Sequence, residues 1–587
     1  MPKVIRSPSC RRGRPRPARS RLIDFAEDDP KGRERGRLRL APRRLNRPRL
    51  SLSRPSIVAV CAALLYVAAA ACFPWDKPGL QYDEALFVRD AVPILGGKAE
   101  VPFGHEPLSW IQVGRRSLPI MDLPYAGATK GYLAVVPFAL FGSSAAVCRA
   151  LAVFMTALGI GGIIWAIGRE LSPGVAAAVG AVIALHPAML DQTVYDNSAV
   201  ALWMATLGLA AATMSWLMRT ASDVAALAFG AALGFALWGR LNFLWLIAAA
   251  AIAAAIFAPL LRWLKDGAVS LALGFAVGSA PLLLYEALTS AGTLKFIRNA
   301  NTPGGALGQL PYRIHLLGEV LLSDEEHRAI WGGPGMPTWQ IVFASALAAA
   351  GIGAALFALK SGSESARDVA WRRATALTVL LFIAQMLASR LIIAQHHLVT
   401  AVPLAAFAAA LGYRRIAATP ARRIVLGLAV GLFAALGLSW NWRSAAGIRR
   451  TGGHRVWSDA IDEVVGTVGA QAPGSTTRVL TWGLSNSIYV LTRGASAPQE
   501  EYWGATEEAS AWHRGWNDEI RKGGWFLIGA EPSPAKAGLQ RALEAARPPT
   551  RRWTFRERDG TFYAELIHVL PAETRSSEAS GGEPTRP

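Results

Sequence analysis

Four carboxylates and a scatter of cations carry the chemistry this sequence can offer. Asp83 and Glu84, in Gln81-Tyr82-Asp83-Glu84-Ala85-Leu86, lie about ten residues beyond the first long apolar run. Asp191 and Asp196 lie in a second short polar stretch, His186 to Asn197, between two later apolar runs. Carboxylates at the rim of apolar segments are costly unless they are paired or in use. Beside apolar surface a carboxyl group has a raised pKa and becomes a competent base near neutrality. Successive helical residues point in different directions, so Asp83 and Glu84 are expected to divide roles. One would face a cavity; the other would anchor the loop or bind a cation. Solvated loop charges are the bland alternative, and a second acidic turn on the same side weighs against it.

Lys130, Arg240, Lys295, Arg298, Arg313, Arg390 and the pair His396-His397 fall in loops or at the expected outer ends of apolar runs. A phosphate at head-group depth is stabilised by Lys as a point charge and by Arg as a fork. Lys130 is the best placed, flanked by Gly127, Gly131 and Tyr132; snorkelling to the interface is its alternative. His396-His397 can bind phosphate, ligate a metal or cap a helix. Glu84 and Asp196 are the candidate ligands for a divalent cation, Mg or Mn. Tyr82, Tyr195 and Asn197 flank the acidic positions as candidate contacts to an acceptor or a sugar.

These residues must be positioned by a membrane-embedded scaffold. Of the 587 residues 52% are hydrophobic and 17% charged, below the roughly 25% charged of soluble domains. Apolar runs recur at 56–74, 146–167, 173–190, 199–217, 223–239, 243–261, 268–288, 338–359, 374–393, 397–413 and 424–440, which predicts about eleven transmembrane helices. The net charge of +20 suggests nucleic acid at first sight, but residues 1–55 hold 18 Lys/Arg against 5 Asp/Glu and so account for +13 of it. That segment reads as a disordered, basic cytoplasmic tail touching anionic lipid, with no nucleic-acid role. The first apolar run reads as a signal anchor. Basic residues then fall in nearly every short inner connection, from Arg169 to Arg423, which leaves loops 75–145 and 289–337 and everything after Trp440 outside. Residues 125–141 are apolar, yet counting them as a span would reverse every later loop. They are expected to dip into the outer leaflet without crossing.

Residues 56–441 are therefore the expected all-α transmembrane domain, and 442–572 a small extracytoplasmic α/β domain. In the latter, Arg478–Trp482 and Trp525–Ile528 read as strands, and Asp559-Gly560 joins a hairpin. Residues 573–587 read as disordered. Cys10, Cys61, Cys72 and Cys148 show neither metal-ligand spacing nor a disulfide framework. Gly159-Ile160-Gly161-Gly162 lies inside an apolar helix, where a dinucleotide fingerprint has no strand to follow.

Three stretches carry a family resemblance: Asp83-Glu84 after the first span, Pro124 to Leu133 in the dipping segment, and Leu140-Phe141-Gly142 followed by Arg149. With His186-Pro187 and Asp196 in the second outer turn, the chain resembles the GT-C superfamily of integral-membrane glycosyltransferases. It is most similar to the branch of protein mannosyltransferases and aminoarabinose transferases. The resemblance implies inverting transfer of a sugar from a polyprenyl-phosphate donor to a hydroxyl or amine on the non-cytoplasmic face of the cell membrane. The acceptor would be lipid, glycan or protein. It further implies Asp83 as general base, and Lys130 with Arg240 or Arg390, beside His396 and His397, around the departing phosphate. Glu84 and Asp196 would orient the acceptor or hold a cation. The sequence departs from the family where Ala85-Leu86-Phe87 follows the acidic pair and Tyr195-Asp196-Asn197 stands in the second turn. A lipid or glycan transporter and a non-catalytic membrane scaffold are the alternatives.

Overall fold

The computed structural model describes residues 53–571 apart from 97–108, 115, 258–265, 300–304, 323–328, 335–336, 338–352, 354–365, 417–418 and 503–518. All but Gly353 of the expected span 338–359, nearly all of the basic tail and the segment 573–587 lie outside the described residues.

Helices begin where Ser, Thr and Pro dictate. The apolar run of α1 (Arg54–Ala70) starts with Pro55 in its first turn. Ser144 caps α5 (Ala145–Glu170) by accepting from Val147 N, and Ser172 caps α6 (Pro173–Leu185) in the same way. Ser222 caps α9 (Asp223–Gly239), which is followed by α10 (Phe243–Ile256). α6 gives way at His186 to α7 (Pro187–Val194) with a bend of 60°. Pro187 forces this bend, because the residue before a proline is held extended. A second bend of 64° separates Ala268–Gly278 from Ala280–Leu288, again beside a proline, Pro281.

Among the described residues three helices are long and apolar enough to cross a membrane: Ala145–Glu170, the one ending at Thr220, and Pro420–Thr451. Each bent pair taken as one span raises the number to five. The other expected spans that fall on described residues are mostly shorter helices. Arg54–Ala70 and Asp223–Gly239 have 17 residues each, about 25 Å of helix against a hydrocarbon core of about 30 Å. The dipping segment contains α4 (Thr129–Phe141), whose 13 residues give only about 20 Å. Leu133, Val136, Leu140 and Phe141 of α4 are exposed, while Lys130, Gly131, Ala134 and Phe138 are buried. One flank is thus apolar toward the surroundings, and the other packs on the protein.

α5 and α8 (Val200–Thr220) meet along a seam of glycines. A Cβ on Gly159 would stand 2.3 Å from the Met204 carbonyl, and one on Gly208 would stand 2.3 Å from the Gly159 carbonyl. The Gly159–Gly162 cluster therefore lets two helix backbones touch, as small residues do in membranes.

The loop between α1 and α5 carries α2 (Tyr82–Leu86), α3 (Ala91–Ile94) and two ribbons. These are β1 (Trp110–Val113) with β2 (Arg116–Pro119), and β3 (Met121–Leu123) with β4 (Ala126–Gly127). The helix Pro420–Thr451 has 32 residues, about 48 Å, and so outlasts its apolar part. It runs directly into the C-terminal fold. There five strands lie in the order β6 (Gln499–Glu500), β5 (Thr477–Val479), β7 (Gly524–Gly529), β9 (Phe562–Val569), β8 (Thr550–Arg556). β6, β5 and β7 are parallel, and β9 is antiparallel to β7 and β8. The helices Ala460–Gln471 and Ser485–Leu491 share a core with one face, and Pro534–Ala546 with the other. At the β8–β9 turn Gly560 takes φ +88°, open to glycine without strain.

Candidate active site at the mouth of the membrane domain

The site is built on α2. The Gln81 side chain accepts from the Asp83 and Glu84 amides, and Glu84 returns a contact to Gln81 N at 3.0 Å. This reciprocal cap fixes a turn too short to hold itself. α2 packs on the turn Asn197–Ala199 and on the helix Ser485–Leu491. The two acidic loops and the C-terminal fold therefore meet at one place, on one side of the helical domain.

Glu84 is the anchor of the pair. Arg149, near the head of α5, donates to both of its oxygens at 2.8 Å, and both residues are fully buried. The same guanidinium donates to the carbonyls of Trp75, Pro78 and Gly79, and lies 4.7 Å above the Tyr195 ring. Tyr195 is wedged between Phe73 and Trp457, with centroids at 6.0 Å on each side. Its place is in the packing beneath Arg149.

Asp196 is also paired. Its carboxylate holds Lys130 through one oxygen and accepts from Ala201 N at 2.7 Å through the other. Asp196, Ser198 and Ala199 all take positive φ (36°, 59° and 58°), a backbone that non-glycine residues adopt at a cost. The turn keeps that shape because Asp196 bonds forward into α8 and sideways to Lys130. Asn197 stays half-buried in this turn, against α2.

Asp83 stands apart from both. Its carboxylate makes no hydrogen bond or ion pair to a described residue, and it keeps some exposure. Burial of its surroundings pushes its pKa up to about 6, against the pull of Arg240. Arg240 follows the last residue of α9, where the β3–β4 ribbon clamps it: Leu241 N donates to the Tyr125 carbonyl at 3.0 Å, and Trp238 to that of Ile120 at 2.8 Å. The guanidinium lies 5.4 Å over the ring of Phe87, four residues on from Asp83. Residues four apart share a helix face, so Asp83 and Phe87 both look toward Arg240. Arg240 is buried, and its Nη1 has no hydrogen-bond partner among the described residues. It acts electrostatically on Asp83, Asp196 and Tyr125, and also on His396 and His397.

The remaining candidates separate. The rings of His396 and His397 lie tilted against each other, centroids 4.1 Å apart, in the short helix Gln395–Leu398, and His397 Nδ1 accepts from Ala394 N. Arg390 is exposed and is not among the groups acting on Asp83. Arg313 donates to the carbonyls of Leu387, Ser389 and Leu391, closing the end of the helix Ala366–Leu387. Tyr82 is buried and donates to Glu500.

A divalent cation does not fit the two acids named for it. Glu84 is filled by Arg149 and Asp196 is held by Lys130, and no group of three or more His, Cys, Asp or Glu among the described residues is arranged around a cation. Sequence reasoning gave no role to Arg149, Tyr125 or Glu500. Arg149 left a trace, an Arg one turn inside an apolar helix. Tyr125 and Glu500 left none.

The fold and site together describe a polytopic helical protein with a carboxylate and a guanidinium at its mouth and an α/β cap above. Solved structures of two transferases follow a similar course along most of the chain. ArnT from Cupriavidus metallidurans is similar in the apo state at 14% identity, covering 87% of this chain and 97% of that one, with a TM-score of 0.42. Its form bound to undecaprenyl phosphate is similar at 13% identity, 88% and 98% coverage and a TM-score of 0.45. The apo oligosaccharyltransferase from Archaeoglobus fulgidus is similar at 11% identity, 85% and 69% coverage and a TM-score of 0.47. With TM-scores below 0.5, none of these likenesses carries weight in the mechanism below. No family model matches the chain, and no curated protein does.

Proposed function

We propose that this protein is a membrane glycosyltransferase that moves a sugar from a polyprenyl-phosphate donor to an acceptor hydroxyl or amine, with Asp83 as general base. One observation carries the reading. Of Asp83, Glu84 and Asp196, the last two are ion-paired to buried cations, whereas the Asp83 carboxylate has no hydrogen bond or ion pair among the described residues and faces a buried Arg240 with a spare N–H. A free base beside an unfilled phosphate-binding fork is what such a transfer needs.

The acceptor O–H or N–H attacks the anomeric carbon from the side of Asp83, which takes its proton. The bond from that carbon to the phosphate oxygen breaks through an oxocarbenium-like state. The electron pair leaves with the polyprenyl phosphate, and the anomeric configuration inverts. Arg240 Nη1 receives the developing phosphate charge, with His396 and His397 beside it; Lys130 holds Asp196 and adds positive field. Glu84 acts through the loop, as the handle by which Arg149 sets α2. The basic inner connections support placing this mouth on the non-cytoplasmic face, where a donor from the bilayer would enter past the apolar flank of α4.

The test is transfer by the purified protein from a panel of polyprenyl-phosphate sugars, parent against Asp83→Asn. Parent activity with a silent, correctly inserted variant supports the reading; equal activity in the two overturns it.

A further inference from the structure

Among the contacts of the C-terminal fold with the α2 turn, one is a carboxylate hydrogen-bonded to the residue next to the candidate base. Glu500, at the end of β6, accepts from Tyr82 at 3.1 Å and Tyr502 at 3.0 Å on one oxygen, and from Ser485 on the other. Tyr82 is the first residue of α2, immediately before Asp83, and its ring tilts against Trp482 at 5.2 Å. Ser485 opens the helix Ser485–Leu491, which is itself tied to the same loop. Arg89 donates to Asn486 at 3.0 Å, and Ser143 donates to the Val490 carbonyl at 2.6 Å.

α2 is five residues long, too short to keep an orientation without help. Helical residues turn by about 100° each, so Tyr82, Asp83 and Glu84 point in three directions. Arg149 fixes the third and Glu500 fixes the first; Asp83 is set by the two together. A carboxylate accepting three hydroxyl donors is a strong and directional hold. Its donors come from three places: α2, the segment after β6, and the start of the 485–491 helix.

We propose that Glu500 is a positioning residue for Asp83, holding the α2 turn through Tyr82 so that the base points toward Arg240 only while the C-terminal fold is seated. This rests on the reading of Asp83 as base. It makes the C-terminal fold part of the catalytic device. Removing it would leave the membrane domain with its acids and cations but a loose base, and small misplacements of a base cost rate far more than binding.

The experiment uses the full-length protein in lipid nanodiscs, with Glu500→Ala, Glu500→Gln and Tyr82→Phe. Amide hydrogen exchange is read over 81–87, with 75–79, held by Arg149, as the internal control. Transfer is read as kcat, donor KM and pH profile. Glu500→Ala and Tyr82→Phe are expected to speed exchange over 81–87 by about tenfold or more, leaving 75–79 unchanged. They are expected to lower kcat by about tenfold or more with donor KM held within about twofold. Glu500→Gln, whose amide oxygen still accepts, recovers most of both. Unchanged exchange over 81–87 overturns the proposal. So does exchange raised equally across the chain, or raised exchange with kcat intact. If the parent itself transfers no sugar, the base assignment fails, and the exchange arm alone decides whether Glu500 holds the turn.

Discussion

Arg149 grips Glu84 through two N–H···O contacts of 2.8 Å each, and its remaining donors go to the carbonyls of Trp75, Pro78 and Gly79. All five N–H groups of a buried guanidinium are thereby satisfied, as burial requires. The chain leaving α1 is folded around this one side chain, which sets α2 above the head of α5. Asp83 is free to act because its neighbour is not.

Replacing Asp83 by Asn should lower transfer by about 10²- to 10⁴-fold, the usual worth of a general base. Insertion and thermal stability should remain those of the parent. Initial rates with a radiolabelled donor, beside a melting curve in detergent, check this.

The acid limb of the pH–rate profile should bend near pH 6. Asp83 must be ionised to accept a proton, and burial raises its pKa to about 6. Below that value the protonated fraction of the free enzyme grows and kcat/KM should fall about tenfold per pH unit; above it the value should level. A limb bending near pH 4 would indicate a solvent-exposed carboxylate and would contradict the site described.

Breaking the Glu84–Arg149 pair from one side should cost about 3–5 kcal/mol of stability, because the partner is left as a buried, uncompensated charge. Glu84→Gln and Arg149→Met should each show it. The double variant carrying both Glu84→Gln and Arg149→Met should cost less than the sum of the two. Chemical unfolding of the four proteins forms the cycle that reads the coupling.

Arg240→Met should leave folding intact and weaken handling of the lipid phosphate. Loss of a charge-assisted contact is worth about 1.5–3 kcal/mol, or roughly 10- to 100-fold in kcat/KM for the donor. Binding of polyprenyl phosphate alone should weaken in parallel. Arg390→Met, at an exposed position that is not among the groups acting on Asp83, should leave both within about twofold.

Gly208→Leu should unseat α5 from α8. Even a Cβ at this position would sit 2.3 Å from a backbone oxygen, and neither helix can yield without disturbing the head of α5 that carries Arg149. The expected result is poor folding, read as loss of a monodisperse peak on size-exclusion chromatography.

Much of the scaffold was legible in the chain because its signals are local. Apolar runs set the helices, and Ser or Thr followed by Pro set several of their starts. Asp559-Gly560 marks the β8–β9 turn, and the sequence alone separated Asp83 from Glu84 by the pitch of a helix. It could not say which of the two would be the anchor. That depended on Arg149, 65 residues away, and nothing in a short window distinguishes one carboxylate's partner from another's.

Tertiary structure alone decided who neutralises whom. Lys130, read as a phosphate ligand, closes on Asp196; Arg240, one of several outer cations, is the one buried beside Asp83 with a donor to spare. Glu500 meets Tyr82 across 418 residues. The physical reason is that periodicity and capping act over a few residues, whereas the charge state and freedom of a buried acid are set by whichever distant side chain the fold delivers to it. The sequence determined where acids and cations stand along the chain, and only the packed chain determined that Glu84 and Asp196, and not Asp83, are held in buried ion pairs.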